Sequence, residues 1–218
     1  MNYIGNNCKI DPTATFGDNV CIGDNTIIRE NVVVGNNVTI CENCVIGETP
    51  TVWDVKDAES DIFKKKLIIK DNVTIRCNTI IERGGLTDAT IIDEGSMIGS
   101  FCYIGHDAII GKCCTIFPYV FFCGSVTLKD EVMVYSHSTI FNNVVLGDKT
   151  IVFHGTNVFN STDKYGKVFG QYGDTLKEYC KKRNFLKHSS NFLQRIKNLE
   201  DTINGKDRRE HKEEIQQS

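Results

Sequence analysis

Large apolar residues recur every six positions over most of this chain. A second set of small or β-branched residues follows the first by four positions, beginning with Cys8, Ala14 and Val20. Short polar triplets such as Gly17-Asp18-Asn19 separate the two sets. The large apolar positions are Ile4, Ile10, Phe16, Ile22, Ile28, Val34, Ile40 and Ile46, then Ile69, Ile75 and Ile81, and then Ile92, Ile98, Ile104, Ile110, Ile116, Phe122, Leu128, Val134, Ile140, Leu146, Val152 and Val158.

A period of six predicts one short strand and one tight turn in each repeat. Gly and Asn tolerate the positive φ angles that sharp turns need. Three repeats close a triangular coil whose large apolar residues fill the interior, and stacked coils pair strand on strand. The sequence therefore predicts an all-β fold, a parallel β-helix of hexapeptide repeats. A β-sandwich, the alternative, would show alternation with period two and irregular loops.

Breaks in the period divide the chain into segments. A long break carries the one Trp of the chain; because long loops in compact folds are often functional, it either borders a ligand site or is a solvated flap. A shorter break lies at Arg83–Asp88. Near the C-terminus, apolar residues recur at helical spacing from Phe192 to Ile203, which predicts an amphipathic helix. The predicted segments are a β-helix over 1–159 with the long break as an excursion loop at 48–66, a connector at 160–173, C-terminal α-helices at 174–204 and a flexible tail at 205–218.

The composition favours a cytoplasmic protein that neither binds nucleic acid nor spans a membrane. The net charge of −3 gives no basic field for nucleic acid. No apolar run approaches the roughly 18 residues of a membrane span, and the chain does not start with a signal-peptide pattern. Ten cysteines are present, and several hold the small inward position, where they act as small hydrophobes. Cys41-x-x-Cys44 would be half a zinc site, but Cys113-Cys114 lacks the spacing to complete it, so we predict no metal.

Five histidines are candidates for chemistry. His188 and His211 fall in the C-terminal segment and are expected on its surface. His137 and His154 fall near one corner of neighbouring coils, where exposed histidines are usually just solvated. His106 differs, because it follows Ile104-Gly105 on the turn of a repeat and its side chain projects outward.

The residue one coil after His106 is Gly124, so stacking places a bare backbone N–H beside the imidazole. A base beside such a donor suits acyl transfer. The base removes the proton from an attacking amine. The N–H stabilises the oxyanion of the tetrahedral intermediate. This pattern alone does not decide between a catalytic histidine and a surface one.

The chain resembles the hexapeptide-repeat acyltransferases. Over roughly residues 67–203 it is most similar to the UDP-3-O-(3-hydroxyacyl)glucosamine N-acyltransferases of lipid A synthesis. The stretch 81–91, with its Glu82-Arg83-Gly84, looks like that family's Asp-Arg-Gly segment. Residues 103–111, with His106-Asp107, look like its catalytic turn, and residues 193–200 look like its terminal helix.

The resemblance implies a left-handed coil with a C-terminal α-helical appendage, and a homotrimer with active sites between subunits. It implies acyl transfer from acyl-CoA or acyl carrier protein, with no bound cofactor, to the amino group of a nucleotide-linked sugar in lipopolysaccharide or surface polysaccharide synthesis. His106 takes the place of the general base, and Gly124 that of the oxyanion donor in a related O-acyltransferase. The predicted substrate-binding residues are Asp107, Glu82, Arg83, Asn142 and Asn143.

Two departures from this family affect the substrate. Its members carry an N-terminal domain that holds uridine, whereas here the repeat starts at Ile4, so we expect that domain to be missing. A second histidine of the family aligns with Asn143. The region of the 48–66 excursion also resembles smaller enzymes that acylate dTDP-3-amino-3,6-dideoxyhexoses from coenzyme A.

Three other functions would make different demands on the sequence. An O-acetyltransferase of the same fold would use a sugar hydroxyl as acceptor. A γ-type carbonic anhydrase needs zinc histidines with a His-x4-His pair, which this sequence does not contain. A non-catalytic β-helix scaffold would function without His106.

Overall fold

The structure, a computed structural model, describes residues 1–51, 64–169 and 188–200. Contacts divide the chain into two compact units, Met1–Gln171 and Tyr172–Ser218, and each is described by itself.

The first unit consists of three parallel sheets made of very short strands. The nine-stranded sheet contains β1 (Tyr3–Ile4), β4 (Cys21–Ile22), β7 (Thr39–Ile40), β10 (Thr74–Ile75), β13 (Met97–Ile98), β16 (Thr115–Ile116), β19 (Met133–Val134), β22 (Ile151–Val152) and β24 (Lys167–Val168). The eight-stranded sheet contains β2 (Lys9–Ile10), β5 (Ile27–Ile28), β8 (Val45–Glu48), β11 (Ile80–Glu82), β14 (Tyr103–Ile104), β17 (Phe121–Phe122), β20 (Thr139–Ile140) and β23 (Asn157–Val158). The seven-stranded sheet contains β3 (Thr15–Phe16), β6 (Val32–Val34), β9 (Lys66–Ile69), β12 (Ala89–Ile92), β15 (Ile109–Ile110), β18 (Thr127–Leu128) and β21 (Val145–Leu146).

Successive strands belong to successive sheets, so each coil contributes one strand to every face. Tyr3 pairs with Cys21 and Ile4 with Ile22, one coil further on. The same parallel register runs through each sheet, which makes the three sheets the faces of a left-handed parallel β-helix. The fold class predicted from the period of six is confirmed.

Three corners join the faces of each coil. The first corner follows the nine-stranded sheet, as at Gly23–Asn25; the second follows the eight-stranded sheet, as at Gly105–Asp107; the third follows the seven-stranded sheet, as at Gly111–Cys113. The last residue of these turns has positive φ, 59° at Asn25 and 59° at Asp107. Asn and Asp enter this left-handed region more readily than most residues, which explains the polar triplets of the sequence.

The core is the column of large inward residues together with the small inward column. Isoleucines such as Ile40, Ile81 and Ile104 are fully buried. Small inward residues close the corners, since the Thr26 hydroxyl donates to the Cys41 carbonyl at 2.9 Å. Cys102 does the same with its thiol, which donates to the Phe117 carbonyl at 3.2 Å, and burial raises the pKa of that thiol to about 11. The inward cysteines are therefore packing residues, as predicted.

The strands stop and resume where the sequence placed the excursion loop. β8 ends at Glu48 and β9 begins at Lys66. Residues 52–63 lie outside the described residues. The insertion therefore falls at the second corner, between a strand of the eight-stranded sheet and a strand of the seven-stranded sheet.

The β-helix extends further than the sequence predicted, so the boundary at 159 is wrong. β24 pairs with β22, Val152 opposite Val168, and Thr162 forms a bridge with Leu146. In this last coil Val168 follows its partner Val152 by 16 residues, whereas uninterrupted coils repeat after 18. A strict period of six therefore misses the last inward positions. The first part of the predicted connector at 160–173 belongs to the β-helix.

The second unit contains an α-helix over residues 188–200. Phe192, Ile196 and Leu199 lie within it at the spacing of one helical face and are exposed on the described chain. Ile203, the last residue of the predicted apolar face, and the rest of 174–204 and 205–218 lie outside the described residues. In the described ranges, no helix is long and apolar enough to cross a membrane.

Candidate active site at the second corner

His106 lies on the second corner, directly after β14. Its imidazole is largely covered, with 14% of the side chain exposed. Nδ1 lies 2.7 Å from Oδ2 of Asp107, the next residue. Asp107 thus fixes the Nδ1 edge of the ring, and a small part of the imidazole remains exposed to solvent.

Asp107 is buried, and a loop of the preceding coil surrounds its carboxylate with donors. The amide N–H groups of Gly85 and Thr87 donate to Oδ1 at 3.0 and 2.8 Å, and that of Leu86 donates to Oδ2 at 2.8 Å. The hydroxyl of Thr87 donates to Oδ1 as well. Burial alone raises the pKa of Asp107, but the bonds from Thr87, His106 and the loop amides outweigh it and lower this pKa to about 2.

A charged Asp107 decides which imidazole nitrogen carries the proton. A carboxylate only accepts hydrogen bonds, so Nδ1 of His106 must donate to it. Nε2 is then the nitrogen with a free lone pair in the neutral ring. The arrangement is that of an oriented general base.

Gly124 lies one coil above His106, as the stacking argument predicted. The register Tyr103–Phe121 places the two corners in line, and the Ser125 amide donates to the His106 carbonyl at 2.8 Å. A Cβ on Gly124 would lie 2.5 Å from Nε2 and from Cε1 of the imidazole. Only glycine therefore fits above this histidine in its present position.

The amide N–H of Gly124 lies at a turn position whose amide can donate to a side chain of a neighbouring coil. At equivalent places, the amide of Asp18 donates to Asn36 and the amide of Lys112 donates to Asp130, both at 2.8 Å. Among the described residues, no acceptor takes the Gly124 N–H. The donor beside the imidazole is therefore available for a hydrogen bond to another molecule.

Glu82 links the excursion loop to the histidine turn. Its buried carboxylate accepts the His106 amide N–H on Oε2 at 2.8 Å. Oε1 accepts the amide and hydroxyl of Thr51, at 3.0 and 2.8 Å, and the hydroxyl of Tyr103 at 2.5 Å. Burial, and then the bond to Glu82, raise the pKa of Tyr103 to about 12, so this hydroxyl remains a donor. Glu82 is therefore occupied inside the chain, where it holds the backbone of His106.

Arg83 is also buried rather than directed to solvent. Its side chain is 0% exposed, Nη1 donates to the Gly47 carbonyl at 3.0 Å, and Nη2 lies 2.8 Å from Oε1 of Glu30. These contacts join three successive coils beneath the site. The sequence prediction treated Glu82 and Arg83 as substrate-binding residues, but the structure places both inside the wall that supports the turn.

Asn142 and Asn143 lie on the same corner, one coil above Gly124. Both are exposed, and the Asn143 amide donates to the Gly124 carbonyl at 3.2 Å. The structure thus brings His106, Asp107, Gly124 and the two asparagines onto one edge of the prism, and their predicted roles stay predictions. It adds Thr51 and Thr87, which sequence reasoning missed because both lie in breaks of the period.

A surface pocket of about 520 Å³ adjoins the loop that holds Asp107. The loop is anchored by the Gly84 amide, which donates to the Lys66 carbonyl at 3.0 Å. Lys65 lines the pocket and pairs with Asp88, its Nζ 3.0 Å from Oδ1. The residues that line the pocket are Lys64, Lys65, Lys66, Ile68, Asp88 and Ala89.

Known proteins resemble this chain in repeat, sequence and fold. The family described as bacterial transferase hexapeptide (six repeats) matches residues 3–36. A UDP-3-O-acylglucosamine N-acyltransferase from Methylococcus capsulatus is 25% identical over 138 residues, which are 63% of this chain and 39% of that protein. One from Methylobacterium nodulans is 30% identical over 122 residues, 56% of this chain and 34% of that protein. The chain thus matches little more than a third of the length of these curated relatives.

Solved structures share the fold. The UDP-N-acetylglucosamine acyltransferase from Campylobacter jejuni superimposes with a TM-score of 0.67 at 20% identity, covering 76% of this chain and 66% of that one. The Arabidopsis UDP-N-acetylglucosamine acyltransferase gives a TM-score of 0.54 at 24% identity, covering 78% of this chain and 61% of that one. The resemblance to hexapeptide-repeat acyltransferases inferred from sequence motifs is confirmed.

Proposed function

We propose that this chain is an N-acyltransferase that moves an acyl group from a thioester to the amino group of a nucleotide-linked amino sugar. One observation carries the proposal: the Asp107-oriented imidazole of His106 lies against Gly124, whose amide N–H no described residue accepts. The names of the curated relatives support the amino sugar as acceptor.

The reaction uses these groups in one addition and one elimination. The sugar amine attacks the thioester carbonyl carbon while Nε2 of His106 takes its proton. The carbonyl oxygen becomes an oxyanion, which the Gly124 N–H stabilises. The tetrahedral intermediate then collapses, the C–S bond breaks, and the thiolate leaves and takes the proton from His106. An amide and a free thiol result.

The neighbouring residues divide into positioning and binding groups. Asp107 orients the ring, and Glu82 and Arg83 hold the turn from inside the prism. Asn142 and Asn143 present exposed amides above Gly124, where they suit the hydroxyl groups of the sugar or the nucleotide. The lysine-lined pocket beside the Asp107 loop suits phosphate groups, because lysine is a strong phosphate partner.

The donor we propose is acyl-CoA or acyl carrier protein, and the pathway is lipopolysaccharide or surface polysaccharide synthesis. The proposed location is the cytoplasm, because these thioesters occur there and the described cysteines are all free. The active form we propose is a homotrimer with sites between subunits. Exposed stacked rings at the first corner support an interface: Phe101 and Tyr119 lie 4.9 Å apart and are each about half exposed.

A paired-substrate assay tests the proposal. The chain is incubated with acetyl-CoA or a hydroxyacyl carrier protein, and with nucleotide sugars that carry either an amine or a hydroxyl at the same carbon. We expect amide formation with the amino sugar alone. Ester formation on the hydroxy sugar would make the chain an O-acyltransferase instead.

A pair of histidine variants tests the residue assignment. His106→Ala should reduce kcat by about 10²–10⁴-fold, the usual contribution of a general base, while leaving the assembly state unchanged. His188→Ala, an exposed histidine in the C-terminal helix, is the control and should keep the wild-type rate. A His106→Ala protein with full activity would leave the chain as a scaffold or assign the chemistry elsewhere. Sedimentation analysis of the wild type tests the trimer.

A further inference from the structure

Two thiols and a carboxylate meet at the first corner, away from the corner of His106. The Sγ atoms of Cys41 and Cys77 and a carboxylate oxygen of Glu42 all lie within 4.8 Å of one another. The Cys77 thiol donates to Oε2 of Glu42 at 2.9 Å. The two thiols are partly buried and Glu42 is exposed, so solvent can reach the cluster although the β-helix covers part of both thiols.

Stacking creates this cluster from residues that are distant in sequence. Ile40 pairs with Ile75, so Cys41 and Glu42 lie on the turn of one coil and Cys77 lies on the turn of the next. A separation of 35 residues lies between Glu42 and Cys77, whereas equivalent positions of ordinary coils are 18 apart. The added length is the excursion loop between β8 and β9. The cluster therefore joins the coil before the excursion to the coil after it.

Cys77 replaces the residue that usually closes such a corner. Elsewhere an Asp or Asn at this position accepts the amide N–H of the coil beneath, as Asp24 accepts from Asn6 at 2.6 Å and Asp71 accepts from Asn36 at 2.7 Å. A thiol is a poor acceptor for that bond. The exchange thus gives up a regular corner contact and gains a soft ligand beside a second one.

We infer that Cys41, Cys77 and Glu42 form a binding site for Zn²⁺ or a similar thiophilic divalent cation, with water in the fourth position. Cys thiolates and Glu carboxylates are both zinc ligands, and tetrahedral Zn²⁺ binds sulfur at about 2.3 Å. The three atoms lie within 4.8 Å of one another, so binding would require the side chains to draw closer around the ion. Binding displaces the thiol protons, including the one that Cys77 now donates to Glu42.

The bound cation would cross-link the two coils on either side of the excursion loop, the longest break in the repeat. A link that closes a long chain segment restricts the unfolded chain more than a link within one short turn. A ligand that binds only the folded chain also raises its stability. Bound metal should therefore raise the Tm of the protein and fix the two coils from which the excursion loop leaves and to which it returns.

The sequence pattern alone pointed to another pair. Cys41-x-x-Cys44 has the spacing of half a zinc site, but Cys44 is fully buried in the small inward column, and its thiol donates to the Arg76 carbonyl at 3.2 Å. The partner of Cys41 comes instead from the next coil. The prediction of no metal rested on spacing along the chain, which does not reveal this neighbour.

Metal content measured on the full chain tests the site. Reduced protein is incubated with Zn²⁺, passed through a desalting column and analysed by mass spectrometry of the metal, with the Tm recorded in parallel. We expect about one zinc per chain, the stoichiometry of a single three-ligand site, and a higher Tm with zinc. Cys41→Ser and Cys77→Ser should lose both effects, and Glu42→Gln should bind more weakly.

Cys113→Ser is the matched control, because Cys113 is an exposed cysteine on the third corner and should leave zinc binding unchanged. Wild-type protein that retains no zinc, or a Cys41→Ser/Cys77→Ser double variant that retains it, would overturn the site. A Cys41–Cys77 disulfide in protein prepared without reductant, together with absent zinc binding in reduced protein, would mark a redox pair and also overturn it. The readout does not depend on acyl transfer, so the site and the proposed function fail separately.

Discussion

The bare Cα of Gly124 faces the imidazole of His106 so closely that an added Cβ would meet Nε2 and Cε1 at 2.5 Å. The three nearest atoms to that Cβ all belong to the His106 ring, and none belongs to the backbone. A methyl group here would therefore displace the ring rather than the coil. Gly124 thus controls the position of the histidine as well as offering its amide.

Gly124→Ala should abolish most activity without unfolding the protein. The ring can rotate away from the new methyl group, but Nε2 then leaves its place beside the amide donor. We expect kcat to fall by about 10²-fold or more, the scale of a lost oxyanion or base contact, with little change in Tm. Steady-state kinetics and thermal melts measure the two effects.

Gly99→Ala provides the contrasting case. A Cβ there would meet backbone atoms of Phe117 and Pro118 at 2.6 Å, on the first corner and away from the histidine. It should lower the Tm while the remaining folded protein keeps its turnover rate. If Gly124→Ala kept full activity, or if the two variants behaved alike, the assigned role of Gly124 would be wrong.

Stacking was predictable from sequence because the period of six fixes which corners lie above one another. His106 and Gly124 follow from that count alone. The positions of Glu82 and Arg83 do not follow from the count, because the second break inserts five extra residues into the coil. Ile81 therefore pairs with Ile104 and not with the residue 18 positions later. A pattern of apolar positions also says nothing about where a polar side chain turns. The burial of Arg83 and the bond from Thr51 to Glu82 therefore needed coordinates.

The charge of Asp107 should govern acid stability. Its pKa is held at about 2 in the folded chain, below the ordinary value of 3.8. The stabilisation is therefore complete above pH 3.8 and is lost as the pH falls toward 2. Asp107→Asn removes this contribution, so the difference in urea midpoint between wild type and variant should be constant near neutrality and shrink below about pH 4.

The same variant should also lose activity, because a neutral amide no longer requires Nδ1 to carry the proton. We expect at least a ~100-fold lower kcat near neutral pH. A difference in urea midpoint that stays constant down to pH 3, or a variant with normal turnover, would show that Asp107 does not hold the ring through its charge. Asp130→Asn, an exposed corner aspartate on the third corner, is the control for general charge effects.

Thr51 should affect catalysis through Glu82, although it lies at the start of the excursion loop. Thr51→Val removes the hydroxyl bond to Oε1 of Glu82, the carboxylate that also holds the His106 amide. A lost hydrogen bond of ~1 kcal/mol corresponds to about a fivefold lower kcat if the turn is loosened. Thr49→Val, in the same segment, is the control: the bond seen at Thr49 is made by its backbone amide. Equal kinetics for the two variants would show that Thr51 does not influence the histidine turn through Glu82.

Arg83 and Arg29 offer a matched test of burial against exposure. Arg83 is 0% exposed and paired with Glu30, whereas Arg29 is 43% exposed and paired with Glu48. Arg83→Met removes the buried bond to the Gly47 carbonyl and the pair with the partly exposed Glu30, and should cost about 3 kcal/mol of unfolding free energy. Arg29→Met breaks a surface pair and should cost under ~1 kcal/mol. Urea denaturation compares the two variants.

In folded Arg83→Met protein the KM for the nucleotide sugar should remain near the wild-type value, because the guanidinium of Arg83 is buried and does not face the substrate. A large rise in KM with normal stability would instead indicate that Arg83 contacts the substrate, as the sequence predicted.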